Sequence, residues 1–132
     1  MTASHLTLIT GASRGLGRAM AEQLLQAGHT VLGISRKQDP ALAEVAKAAG
    51  AELVQWEQDL SDPVAASARV SAWLKTIDAQ RFDSVTLINN AGTVGNPAPL
   101  SRAVEAELSL ALRIGLEAPM LLTAAFLGAT RE

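Results

Sequence analysis

Thr10–Gly17 reads TGASRGLG; the apolar run Leu6 to Thr10 enters it and an amphipathic helical pattern leaves it. Gly11, Gly15 and Gly17 stand where a backbone passing from strand to helix needs left-handed φ, close approach to a ligand, and tight packing of helix on strand. The amides that open the helix would then face an anion. Unpaired N–H groups and the positive end of the helix dipole suit a dinucleotide pyrophosphate.

Outward from this turn, Leu6 to Thr10 lacks alternation, as a strand buried on both faces of a parallel sheet does. After it, Leu16, Ala19, Met20, Leu24 and Ala27 recur at helical spacing as the expected inward face, with Arg18, Glu22, Gln23 and Gln26 opposite. Gly28 ends that helix and Val31 to Ser35 forms a second strand. Asp39 and Pro40 are an N-cap and a first helical residue; Leu42, Val45, Ala46 and Ala49 continue the face until Gly50.

A third strand falls at about Glu52 to Glu57. The next helix begins near Ser61, Asp62 and Pro63 and is expected to turn Val64, Val70, Trp73, Leu74 and Ile77 inward. Strand 4 is Val85 to Asn89. A loop with Gly92, Gly95, Pro97 and Pro99 precedes a long helical pattern from about Ser101. Such alternation predicts an α/β fold: a Rossmann-type, doubly wound parallel sheet of order 3-2-1-4, with a ligand crevice at the carboxyl ends of strands 1 and 4.

Bulk properties narrow the function classes. With 132 residues the chain makes one domain at most, short for an enzyme that binds both cofactor and substrate. A net charge of -2 and the lack of a basic block argue against a nucleic-acid partner. Cysteine is absent, which removes disulfides, thiolate metal sites and cysteine nucleophiles, and fits a reducing cytoplasm. The N-terminal MTASHLTLIT lacks a secretory pattern and leads into the first strand. Ala118 to Ala129 is too short to span a bilayer, so no membrane role is expected. His5 and His29 have no metal-like spacing around them, and Trp56 and Trp73 are read as packing residues. Glu105 and Glu107 are read as solvated helix residues.

The end of strand 2 bears on cofactor choice. A carboxylate there would accept from a ribose 2′-hydroxyl and repel a 2′-phosphate, but the chain has Ser35, Arg36 and Lys37. A guanidinium fork matches phosphate, and Arg14 would reach the same group from the other side. NADP(H) is therefore favoured over NAD(H), the alternative being that Arg36 and Lys37 are ordinary surface charges.

Three motifs agree in order and separation: TGASRGLG, Asp59-Leu60 after strand 3, and NNAG at Asn89 to Gly92 after strand 4. Together they resemble the compact form of the short-chain dehydrogenase/reductase family. The TGASRGLG and NNAGTVG pieces, with LEAPMLLTAAFL, are reminiscent of its sepiapterin- and benzil-reductase-like members. The resemblance implies that Gly11, Ser13, Gly15, Leu16 and Gly17 contact the diphosphate and adenosine ribose. It places Asp59 and Leu60 at the adenine, and Asn90, Ala91 and Gly92 beside adenine and the nicotinamide ribose. Asp59 reads equally well as a helix cap or solvated loop acid.

The resemblance further implies an oxidoreductase acting on a small-molecule carbonyl or alcohol. Its chemistry would use a tyrosine as acid/base, a lysine four residues later, and a serine. No tyrosine occurs in the chain. Residues 1–132 are thus expected to be a cofactor-binding domain cut before the catalytic segment and later strands. Alone they should be inactive, with a poorly protected strand 4 edge. The full-length form is expected to be a homo-oligomer. The family's usual asparagine in the helix after NNAG is here Gly115, followed by Pro119. Without an N–H at Pro119 the Gly115 carbonyl loses its usual helical partner, and it either holds a relay water or marks a harmless kink. The alternative to an enzyme is a non-catalytic dinucleotide-binding module or redox sensor.

Overall fold

The computed structural model describes residues 4–77, 81–93 and 97–130. Four parallel strands, β1 (His5–Thr10), β2 (Thr30–Ser35), β3 (Leu53–Glu57) and β4 (Ser84–Ile88), lie in the order β3-β2-β1-β4. The expected alternation is present: α1 (Gly15–Gln26), α2 (Pro40–Ala49) and α3 (Pro63–Thr76) connect successive strands. β1 registers Leu8 with Leu32 of β2 and with Leu87 of β4. The order therefore reverses at β1, and this opens a crevice beyond its carboxyl end.

Helices cover both sheet faces, so β1 and β2 are apolar without alternation. Leu6, Leu8, Leu32 and Ile34 enter one core with Ala66, Val70 and Leu74 of α3. Ile9 and Val31 enter the other with Ala21 and Leu25 of α1 and Leu42 and Ala46 of α2. Trp56 meets Trp73 edge-to-face at 5.9 Å and carries the Arg69 guanidinium over its ring at 4.2 Å, consistent with a packing role.

Several inward faces differ from expectation. α1 buries Gly17, Ala21 and Leu25, whereas Leu16, Ala19 and Ala27 are exposed. Its first turn lies directly on the glycine turn, so the residue that must approach the sheet is the one without a side chain. Ala49 of α2 is exposed, and α3 buries Pro63 and Ala66 while Val64 lies outside.

The last helical region also departs from one helix beginning at Ser101. A 3-10 turn (Leu100–Arg102) precedes α4 (Glu105–Leu112), a π-helical turn (Arg113–Glu117) and α5 (Ala118–Thr130). The Ala118 N–H donates to the Arg113 carbonyl five residues back. That wider register removes the demand for a donor at Pro119 four residues after Gly115. The apolar stretch Ala118 to Ala129 is therefore part of a longer run, Glu105–Thr130, of 26 residues, within which an 18-residue window has a mean hydropathy of 1.6. By length and composition alone this run is long enough to cross a membrane. In the fold, Ala118 and Leu122 pack into the core with α3 residues.

Candidate cofactor site

A cavity of about 900 Å³ opens at the carboxyl ends of the strands. The glycine turn after β1 forms its floor. Gly11 (φ 69°) and Gly15 (φ 59°) are left-handed. A Cβ on Gly17 would overlap the Gly11 carbonyl and the Asn90 side chain, and one on Gly11 would meet Asn90 Nδ2 at 3.0 Å. A Cβ on Gly15 would meet nothing within 4 Å, so there the backbone conformation alone asks for glycine.

Arg14 is the extended N-cap residue of α1, and the first turn contains no acid. Arg18 N–H to Arg14 O, at 3.2 Å, is the first bond of the helix. The amides of Gly15, Leu16 and Gly17 precede it and belong to the donors a helix cannot satisfy itself. Gly11 N–H donates to Ile34 O at 2.8 Å and Ala12 N–H to Ser35 Oγ at 3.0 Å, which ties the turn to β2.

Thr10, a residue the sequence reading did not single out, secures the opposite wall. The residue is 1% exposed, and its hydroxyl accepts from Asn90 N–H at 3.0 Å and Ala91 N–H at 2.9 Å. Asn90 Nδ2 donates to Gly11 O at 3.3 Å. The NNAG segment is thereby fastened to the glycine turn. A threonine closing β1 opposite an Asn-rich strand end was the available signal.

Of the expected residues, Gly11, Ser13, Arg14 and Gly15 line the cavity from the turn, and Ser35 and Arg36 from the end of β2. Asp59 and Leu60 line it after β3, and Asn90, Ala91 and Gly92 after β4. Leu60, 7% exposed, is also a core residue. Leu16 and Gly17 do not line it: Leu16 is 69% exposed on α1, and Gly17 packs beneath the turn. Lys37, Gln38, Gln58 and Thr93 complete the polar rim, and Leu110 and Ile114 add an apolar side from the last helical region. Gly115 is exposed, with nothing near its Cα side, and is not in the lining. Gly95 lies outside the described residues.

Arg14, Arg36 and Lys37 give the rim its cations. The acids there are already engaged. Asp39 accepts from Arg18 Nε at 2.7 Å and from Ala41 N–H at 3.0 Å, and the Arg18 hydrogen bond is the main cause that holds its carboxyl below the usual range. Asp59 Oδ1 accepts from Ser61 N–H at 2.9 Å, and Asp62 caps α3. The Ser61 N–H, then its hydroxyl, and at longer range Arg36 keep Asp59 ionised to lower pH than usual. Among the described residues no group of acids, histidines or cysteines is arranged to hold a metal.

A glycine turn opening a helix, at the reversal point of a parallel sheet, defines a Rossmann-like α/β protein. Comparison with known proteins narrows this class. A family model described as short chain dehydrogenase matches residues 5–131, and the chain belongs to that family of oxidoreductases. It is 35% identical over 125 residues to a benzil reductase ((S)-benzoin forming) of Bacillus cereus, covering 95% of this chain and 50% of that protein. It is 34% identical over 134 residues to a sepiapterin reductase of Xenopus laevis, covering 94% and 50%. A metagenomic short-chain oxidoreductase crystallised in complex with NADP superposes with a TM-score of 0.82 at 34% identity, covering 95% of this chain and 56% of that one. The chain spans about half the length of the curated relatives it matches.

Proposed function

We propose that this chain is the cofactor-binding half of an NADP(H)-dependent carbonyl reductase or alcohol dehydrogenase acting on a small molecule. One observation carries the reading: a single cavity is bordered by the left-handed glycine turn, by NNAG, and by Arg14 and Arg36 where an NAD-type site would present a carboxylate. The open space above Gly15 and the amides that begin α1 suit a diphosphate. Arg36, with Arg14 across the turn, suits the 2′-phosphate. Asp59 and the Asn90–Gly92 backbone would orient the adenine and the nicotinamide ribose. When bound, the cofactor supplies the hydride. The NADP in a related short-chain oxidoreductase supports this choice.

The test is cofactor affinity. In the full-length protein, Arg36→Ala should reduce the preference for NADPH over NADH about tenfold, the scale of one charge-assisted contact of roughly 1.4 kcal/mol. An identical preference in parent and variant would overturn the assignment.

One observation favours a second reading, a dinucleotide-binding module or redox sensor without turnover: glycine replaces the family's asparagine at position 115. NADPH binding by the full-length protein, without turnover of any carbonyl in a broad panel, would establish it. For the 132 residues alone the expected result is binding without reductase activity.

A further inference from the structure

Residues 36–38 border the cavity as an arch on two fixed feet. The first foot is Ser35, whose Oγ accepts from Ala12 N–H at 3.0 Å and whose carbonyl accepts from Gln58 N–H at 2.7 Å. The second is Asp39. Its carboxylate is occupied by Arg18 and by the start of α2, and its backbone is held from another strand.

Gln55 lies on β3, in register with Gly33 of β2. Asp39 N–H donates to Gln55 Oε1 at 2.8 Å, and Gln55 Nε2 donates to Asp39 O at 3.0 Å. A carboxamide presents one acceptor and a donor in a plane, as a peptide group does. The side chain thus holds the Asp39 backbone from a strand position opposite Gly33, two residues before the β2–β3 pairing ends at Ser35 and Glu57. A third, longer contact runs from Gln38 Nε2 to Gln55 O at 3.4 Å. Gln55 does not line the cavity, and a β-branched residue would serve an edge strand better, so its amide needs another reason to be there.

We infer that Gln55 is a positioning residue for cofactor specificity: its two-bond bridge to Asp39 fixes the arch so that Arg36 stands ready for the 2′-phosphate. The inference rests on the NADP(H) reading above. Fixing the arch before binding spares the ordering of its side chains during binding. That benefit falls on NADPH, whose 2′-phosphate meets the arch, more than on NADH, which relies on the shared glycine turn.

The test measures NADPH and NADH dissociation constants in the full-length protein for the parent, Arg36→Ala, Gln55→Met and the double variant. Gln55→Met keeps the side-chain length and removes both hydrogen bonds. Its expected effect is a loss of NADPH preference of roughly threefold to tenfold. In the double variant the loss should fall short of the product of the single losses, because both act through one contact. Equal weakening of both cofactors by Gln55→Met, or no change, while Arg36→Ala still lowers the preference, overturns the role of Gln55 alone. No effect of Arg36→Ala overturns the phosphate reading and the arch with it. Should Gln55→Met fail to fold, Gln55→Thr, a better strand former, is judged by the same ratio.

Discussion

β1 and β4 are neighbours in one sheet, paired from His5–Ser84 to Ile9–Ile88, yet they sit in different surroundings. Five of the six residues of β1 are buried, whereas none of the five in β4 is. β1 has a strand on each side and helices over both faces; β4 has β1 on one side and is the edge of the described sheet. Leu112, Leu116, Met120 and Leu127 of the last helical region, whose α5 meets β4, remain exposed. The glycine turn is therefore built on the enclosed strand β1, whereas NNAG follows the edge strand β4. The contrast teaches that a rigid phosphate-binding turn requires a strand whose ladder is satisfied on both edges, because the turn inherits its precision from that strand.

The largest expected effect comes from breaking the enclosed region. Gly17→Val would force a side chain into the Gly11 carbonyl and Asn90, at a cost of roughly 3 kcal/mol or more, with loss of cofactor binding. Gly15→Ala should cost only about 1–2 kcal/mol, through left-handed strain. Denaturant unfolding and cofactor titration of the two variants check this order.

A second pair sets the two regions directly against each other. Leu32→Ala, fully buried in β2, should cost about 2–5 kcal/mol, and Leu87→Ala in β4 roughly 1–2 kcal/mol, in the 132-residue chain. If later strands cover β4 in the full-length protein, the gap between these costs should narrow there. Amide exchange should likewise be faster in β4 than in β1 for the 132-residue chain and converge in the longer one.

The smallest effect lies at the far end of the sheet. His29 stacks on His5 at 4.6 Å, and its buried Nδ1 has no hydrogen-bond partner. Desolvation, then the charge of His5, pushes its pKa below the ordinary value of 6.5. The unfolded chain therefore binds the proton more readily, so stability is full above that value and declines as pH falls toward the folded-state pKa. Unfolding free energies between pH 7 and 5 should decline less steeply in His29→Gln than in the parent. An equal slope would overturn the His29 assignment, because Asp39 and Asp59, whose pKa values are depressed, lose their contribution only below about pH 4, outside this window.

Much of this architecture was legible in the chain. TGASRGLG, Asp39-Pro40 and NNAG are local signals: each fixes a backbone conformation by its own residues, and strand alternation with helices then admits few topologies. The faces of the helices were less legible. In α1 the periodic apolar residues Leu16, Ala19 and Ala27 suggested one stripe, but the contact with the sheet runs through Gly17, because the helix begins on the turn itself. The π turn at Arg113–Glu117 was half legible: Pro119 announced a missing donor, and the widened register supplies the physical response.

The sequence by itself determined the order of elements, the left-handed glycines, the capping residues and the family, since all of these depend on neighbours within a few residues. Only the tertiary structure decided what Thr10, Arg18 and Gln55 do. Their partners, Asn90 and Ala91 for Thr10, and Asp39 for Arg18 and Gln55, lie 16 to 81 positions away. A hydroxyl, a guanidinium or a carboxamide carries no trace of such a partner in its own stretch of chain. The parallel crossovers bring them together, and with them the rim on which Arg36 stands.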